Sequence, residues 1–423
     1  MTGIMKKKFI AYTILLSMGT SISRLFVFLY RTILAQTLTL EEYGKIALLI
    51  SIFSSIGVIA HIDIATVMSK YAAEWKVKKK EQLCRLYTGG LIAVIPTSII
   101  TSIVFTGILH YYGFESIRLA FLFLLAFISF SIFRQSNGFI RGFEKIHRNA
   151  IYSSLIGFTR FFILLILFYV LGIKTVMAGL YAFILSNIIP AFFTIRYSLT
   201  LIPKFKFEVK KSILKKIYHF SFFLVIMDLA YVSIPLIPRV LLSFDSMENV
   251  ALFDMSLLIY SMFLMVLSNI PAALIPLVSK NSEKKSFRIK LAEFGLISIV
   301  FLIFFYILFF FGVDKFFIIL LLGEKYIPSL FFFHILFLAI PFHAYLVIVS
   351  GILQGLGKAD EMVKINVLGI GVALIAYRIG MDYKLVGLSA AYVAIMIVLS
   401  YFAHRTLIKV NKTSRQQQVI QSI

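Results

Sequence analysis

Two arginines, Arg24 and Arg31, lie inside the apolar stretch "SISRLFVFLYRTILAQ" (residues 21–36), which holds no acidic residue. On a helix turning ~100° per residue, Thr13, Ser17, Thr20, Arg24 and Arg31 fall within about 60° of one another, on one stripe. The rest of that helix is mostly Leu, Ile, Phe and Val. Further along the chain, Ser221, Asp228 and Arg239 also line one helical face, and Arg160 and Asp63 sit within apolar runs of their own. A guanidinium is planar, permanently charged and matched to two phosphate oxygens at once. The chemistry these residues suit is anion binding, of a pyrophosphate above all, with Arg24, Arg31, Arg160 and Arg239 as the candidates. A carboxylate in a low-dielectric cavity can take a proton from one side and release it to the other. Asp63 and Asp228 are the candidates for that coupling role, with a proton or sodium gradient as the driving force.

Each residue also has a plainer reading. An Arg or Asp at mid-membrane is unfavourable by ~2.5–3.5 kcal/mol, so such groups face a bundle interior, a wet cavity or a partner. Arg31 and Arg239, near the ends of their runs, could snorkel to the outer interface. Arg24 and Arg160 could pair structurally with Asp63 or Asp228. His334 and His343 read as packed core residues. Pro235, Pro238, Pro271 and Pro276 each remove a backbone hydrogen bond, which permits either a hinge or a static kink. Other chemistries are excluded. The single cysteine, Cys84, leaves no disulfide and no cysteine-based metal site. "ILQGLGKAD" has Ile352 where a phosphate loop needs its first glycine, and no H-E-x-x-H or G-x-S-x-G stretch occurs. No outer loop is long enough for a soluble catalytic domain, so a transporter rather than an enzyme is expected.

The elements that hold these residues must be membrane helices. Of the 423 residues 60% are hydrophobic and only 14% charged, too apolar a chain for a soluble fold. A spanning helix needs ~20 mostly apolar residues, and about twelve such segments occur. They lie near 9–34, 43–68, 86–110, 116–137, 149–172, 175–197, 213–241, 249–278, 289–312, 328–354, 361–380 and 384–405. The first run, behind Lys6, Lys7 and Lys8, is too long for a signal peptide and reads as a retained span. Of the 42 lysines and arginines, 31 fall in the N-terminal tail, the C-terminal tail and alternate connections. The opposite loops, such as "TLTLEEYGK" and "SFDSMEN", are short and nearly neutral. This pattern predicts a multi-pass protein of a bacterial cytoplasmic (inner) membrane with both termini cytoplasmic. It also explains the net charge of +23 without nucleic acid. Acidic membrane lipids are expected to gather around the basic loops.

The chain also repeats itself. Gly138, Gly142 and Lys145 of "GFIRGFEK" match Gly351, Gly355 and Lys358 of "GILQGLGK", and "AGLYA" (178–182) matches "VGLSA" (386–390). Arg31 aligns with Arg239 when one gap is allowed. Two halves of six spans keep the same orientation, with a symmetry axis along the membrane normal and a cavity between them. The expected architecture is an all-α membrane protein of two six-helix bundles related by a pseudo-two-fold. Residues 1–200 form the first bundle, 201–212 a cytoplasmic linker, 213–408 the second bundle and 409–423 a cytoplasmic tail.

"RTILAQTLTLEEYGKIALLISI", "SNGFIRGFEK" and "ALFDMSLLIYSMFLMVLSNIPAALIPLVSK" resemble the polysaccharide-transport branch of the multidrug/oligosaccharidyl-lipid/polysaccharide (MOP) exporter superfamily. The resemblance lies in an arginine followed by L-(A)-x-x-L-x-x-x-E-(Y/F)-G, an R-G-x-x-K turn and an A-L-x-P-x-x-S stretch. It implies a flippase that moves undecaprenyl-diphosphate-linked oligosaccharide, for O-antigen, capsule or a related glycan, by alternating access. It implies that Arg24, Arg31 and Arg160 meet the pyrophosphate and acidic sugars. Glycan polymerase and chain-length machinery would be partners. At the position of Arg239 that family more often has an acid. The alternative is an ion-coupled multidrug/cation antiporter of the same superfamily, which would favour acidic cavity residues. A membrane enzyme of glycan assembly is disfavoured by the missing outer domain.

Overall fold

The computed structural model describes residues 3–78, 82–114, 116–202, 205–267, 304–309, 311–356 and 358–421. The described residues are helical nearly throughout, without strands, as an all-α membrane protein requires. They form two compact units, Met1–Val232 and Ser233–Ile423. The first unit holds α1 (Gly3–Thr37), α2 (Leu40–His61), α3 (Ile64–Lys78), α4 (Gln82–Tyr111), α5 (Ile117–Gly142), α6 (Ile146–Leu165), α7 (Val176–Thr200) and most of α8 (Lys211–Ser243). The second holds the end of α8, then α9 (Met247–Leu267), α10 (Val313–Leu322), α11 (Ser329–Phe337), α12 (Ile340–Gly355), α13 (Ala359–Gly380) and α14 (Lys384–Gln421).

Among the described residues, eight helical stretches are long and apolar enough to cross a membrane, or nine if the α11–α12 pair, bent by 46°, is one span. One of the eight, Asp360–Val410, runs for 51 residues, about twice what a bilayer needs. It doubles back: the carbonyl of Gly387 in α14 lies where a Cβ on Gly380 of α13 would be, so only glycine permits this turn. The protein is therefore a multi-pass membrane protein. Pro271, Pro276, the A-L-x-P-x-x-S stretch, the end of the expected eighth span and most of the ninth lie outside the described residues, as do the side chains of Thr13 and Ser17.

Small residues set the helix contacts in the first unit. A Cβ on Gly138 would sit 2.2 Å from the Ala65 carbonyl of α3, and one on Gly157 2.1 Å from the Ser23 carbonyl of α1. Within a membrane, close backbone approach replaces the hydrophobic drive that packs soluble helices. Around Gly138 and Gly142 the R-G-x-x-K turn ties α5 to α3. Arg141 donates to the Ser69 hydroxyl (3.1 Å), and Lys76 to Glu144 (2.7 Å). Between α1 and α2, Thr39 and Glu42 form a capping box that starts α2.

Two spans differ from the simple expectation. The second is broken where α2 gives way to α3, with Ile62 (φ 44°) and Asp63 (φ 40°) both left-handed. Such geometry is unusual for a β-branched residue. The groups freed by the break are satisfied locally. Thr97 donates to the Ala60 carbonyl (2.7 Å), and the Asp63 amide donates to Nδ1 of His61 (3.1 Å). The seventh span carries Pro235 and Pro238 within one continuous helix, α8. Pro238 has no N–H for the Ile234 carbonyl, and the Tyr377 hydroxyl donates to that oxygen instead (2.9 Å). Nη1 of Arg239 donates to the Pro235 carbonyl (2.7 Å). With the Ile234 carbonyl occupied, both prolines lie within an unbroken helix.

Between α7 and α8, residues 205–210 are non-helical and are pinned to the start of α4. Cys84 Sγ donates to the Lys206 carbonyl (2.7 Å) and accepts from its amide (3.1 Å), while Arg85 pairs with Glu208. The Arg85 hydrogen bond holds the Glu208 carboxyl below its usual range. The tie is thus complete at neutral pH and is lost as pH falls through that lowered value. We expect Glu208→Gln to speed labelling of Cys84 by a dipyridyl disulfide, which reacts with thiols at acid pH. The ratio of variant to wild-type rates should approach one as pH drops below the carboxylate range.

Candidate substrate and coupling site

The first unit brings most of the charged membrane residues together. Arg160, on α6, is buried (9% exposed). Its Nε donates to the Ser186 hydroxyl of α7 (3.1 Å), which in turn donates to the Phe183 carbonyl (2.7 Å). Its guanidinium carbon lies 4.4 Å from the ring centroid of Phe183 and 5.7 Å from that of Tyr30. Tyr30 is fixed from its other end, where its hydroxyl donates to the Gly179 carbonyl (2.9 Å). Aromatic faces favour a desolvated cation, but they leave the terminal N–H groups of the fork unspent. Among the described residues no carboxylate pairs with Arg160. Arg31, half-buried on α1, lies within electrostatic reach of Arg160 and Tyr30, so two guanidinium groups share this region.

Two turns earlier on α1, Arg24 is exposed and within electrostatic reach of Tyr231 on α8. Asp228 lies one turn before Tyr231, half-buried on the same face of α8. It is within reach of Asp63 and of Arg134 from α5. Asp63 sits at the break between α2 and α3, where its carboxylate accepts from the amide and hydroxyl of Thr66 and so caps α3. An Arg134 Nη lies 3.5 Å from Asp63, and Arg141 is also within electrostatic reach. Arg134 Nε is buried with no hydrogen-bond partner. Asp63, Asp228 and Arg134 thus form one group in which two carboxylates share a guanidinium. Protonation of one acid, or entry of a cation, would rebalance it.

The predicted pairing of Arg24 or Arg160 with Asp63 is replaced by Asp63–Arg134. Arg239 likewise has a different occupation from the one expected of a substrate ligand. In the second unit its Nε and Nη2 both reach Oδ1 of Asp254 on α9 (2.9 and 2.7 Å), and Nη1 is spent on Pro235. It is a buried ion pair that ties α8 to α9. His343 is buried and hydrogen-bonded to Tyr260 (3.0 Å), as a packed core residue should be. His334 instead meets Asp314 on α10, and Phe309 stacks on its ring. Among the described residues no group of three or more His, Cys, Asp or Glu could hold a metal ion.

Sequence reasoning missed Arg134, Tyr30, Tyr231 and Asp254. Arg134 falls among the basic residues that cluster at one end of the fourth span, where the expected topology alone accounts for it. Tyr30 and Asp254 carry no periodic signal that separates them from neighbours on greasy helices.

The profile of the family described as "Polysaccharide biosynthesis protein" matches residues 9–246, more than half of the chain. The chain belongs to the polysaccharide biosynthesis protein family. That match contains Arg24, Arg31, Asp63, Arg134, Arg160, Asp228 and Arg239. No curated relative matches this polysaccharide biosynthesis protein. Solved structures share its fold. An inward-facing multidrug resistance MATE transporter of the MOP superfamily aligns with TM-score 0.75 and 17% identity, over 94% of this chain and 98% of that one. A MOP superfamily transporter from Pyrococcus furiosus, described by a binding pocket of reverse polarity and a suggested different function, gives 0.68 and 19%, over 96% of each chain. A eukaryotic MATE transporter gives 0.69 and 15%, over 98% of this chain and 99% of that one. The fold of this polysaccharide biosynthesis protein is that of MOP superfamily transporters.

Removing one partner of a buried ion pair strands the other charge. Arg239→Ala should therefore lower stability by about 3–5 kcal/mol, read as thermal unfolding in detergent. Replacing both Arg239 and Asp254 by apolar residues should recover most of the loss.

Proposed function

We propose that this protein is a flippase, not an enzyme, that moves a lipid-linked oligosaccharide carrying a diphosphate across the cytoplasmic membrane by alternating access. The observation that carries the reading is Arg160: buried within a span, held by two aromatic faces and one serine, and without a carboxylate among the described residues. A chain that needed only a structural cation would neutralise it, as Asp254 does for Arg239. Arg31 beside it and Arg24 two turns away extend the same positive face of the first unit. Undecaprenyl diphosphate bearing O-antigen, capsule or related repeat units has the charge to use several such forks, and membership of the polysaccharide biosynthesis protein family supports that substrate class. Asp63 and Asp228, sharing Arg134, are the groups we assign to coupling with a proton or sodium gradient. The basic loops favour cytoplasmic termini, and a glycan polymerase with its chain-length machinery would take the product.

One feature favours a second reading, an ion-coupled multidrug/cation antiporter. Asp228 and Asp63 give the first unit a carboxylate pair that a cationic drug could use. Solved structures with this fold include multidrug resistance transporters, and one of a MOP superfamily transporter is described by a pocket of reverse polarity. Polarity of the binding residues is therefore what separates the two readings.

Arg24→Ala and Arg160→Ala are each expected to reduce surface glycan at least about tenfold while protein abundance in the membrane stays normal. In liposomes, wild type should transport a labelled lipid-linked oligosaccharide faster under an imposed proton or sodium gradient, and Asp228→Asn should remove that acceleration. Gradient-driven uptake of a cationic dye, with normal glycan export in the arginine variants, would instead establish the antiporter.

A further inference from the structure

The segment pinned between α7 and α8 reads Phe205-Lys206-Phe207-Glu208-Val209-Lys210. Apolar and charged residues alternate, and in an extended chain successive side chains point to opposite sides. The charged side is anchored to α4 through Arg85 and Glu208, and the backbone through Cys84 and Lys206. Phe205 meets the ring of Tyr87 on α4 edge-on (centroids 6.5 Å apart), and the apolar side beyond that contact is left uncovered. Phe205, Phe207 and Val209 are all exposed, Phe207 at 68%.

The place of this strap says what covers it. It is held at the first turn of α4 and leads directly into the first turn of α8, so it lies at the ends of two membrane spans, on the side where the basic residues gather. Among the described residues around it stand Arg85, Lys206, Lys210, Lys211, Lys215 and Lys216 against one acid, Glu208, and that acid is already paired. Exposed phenyl rings among lysines at the edge of the hydrocarbon match a bilayer interface. There the rings reach the acyl chains and the ammonium groups meet anionic headgroups.

We propose that residues 205–210 are a membrane-surface anchor, whose occupant is the anionic leaflet at the basic face of the protein. Phe205, Phe207 and Val209 insert below the headgroups, and Lys206 and Lys210 bind lipid phosphates. The two ties to α4 hold the strap edge-on so that its apolar side faces the lipid. This anchor is independent of what the protein transports.

The test is Phe207→Trp in the full-length protein, reconstituted into vesicles of phosphatidylcholine alone or mixed with phosphatidylglycerol. The difference from wild type isolates the new indole, because the single native tryptophan, Trp75, is buried and contributes equally to both. Unchanged Trp75 emission in wild type reconstituted alongside serves as the check that the fold is intact. Lipids brominated near the headgroup end of the acyl chain should quench the indole by about half or more. Quenching should deepen with phosphatidylglycerol, and Lys206→Gln with Lys210→Gln should erase that dependence. Unquenched, water-like emission in both vesicle types would overturn the proposal, whether the strap then faces solvent or a protein absent from the vesicles. Quenching that ignores phosphatidylglycerol would overturn the assignment of the anionic leaflet.

Discussion

The structure depends on keeping permanent charge inside helices that cross lipid. A guanidinium cannot escape by giving up its proton, so each buried arginine must be given partners or a purpose. The protein solves this in two ways. In the second unit Arg239 is closed on Asp254 and the Pro235 carbonyl. In the first unit Arg160 is flanked by rings that stabilise the cation while leaving donor groups to spare. Our proposal that Arg160 is a binding group rests on that contrast between two arginines of similar burial, one neutralised and one not.

Backbone satisfaction is the second constraint, because lipid offers no water to a freed carbonyl or amide. Where α2 breaks into α3, hydroxyls from α4 and the imidazole of His61 take the exposed groups, and Asp63 caps the new helix start. Where Pro238 frees the Ile234 carbonyl within α8, Tyr377 does the same work from the side. The break after α2 delivers a carboxylate to a charged cluster shared with Asp228 and Arg134. The proline pair leaves α8 continuous. Two departures from regular helix thus have different consequences, decided by which side chain fills the gap.

The helical class and the multi-pass architecture were legible in the sequence, because length and hydropathy report them directly. So was the polar stripe on α1, since a period of ~3.6 residues is a property of the chain itself. Partner choice was not legible. Asp63 meets Arg134 and Arg239 meets Asp254 because particular helices pack side by side, and no spacing within one helix encodes that. The break after His61 was hidden too, because Ile62 and Asp63 carry neither glycine nor proline to announce it. The repeat aligned Arg31 with Arg239, yet the two occupy different surroundings, so an aligned position does not carry the same neighbours.

The account stands or falls on whether the fork of Arg160 grips a diphosphate. Native mass spectrometry of the purified protein with undecaprenyl diphosphate, set against the monophosphate, tests this without transport. Retention of the diphosphate in preference to the monophosphate by wild type, and its loss in Arg160→Ala, is the predicted result. Equal retention of both lipids, unchanged in the variant, would contradict it.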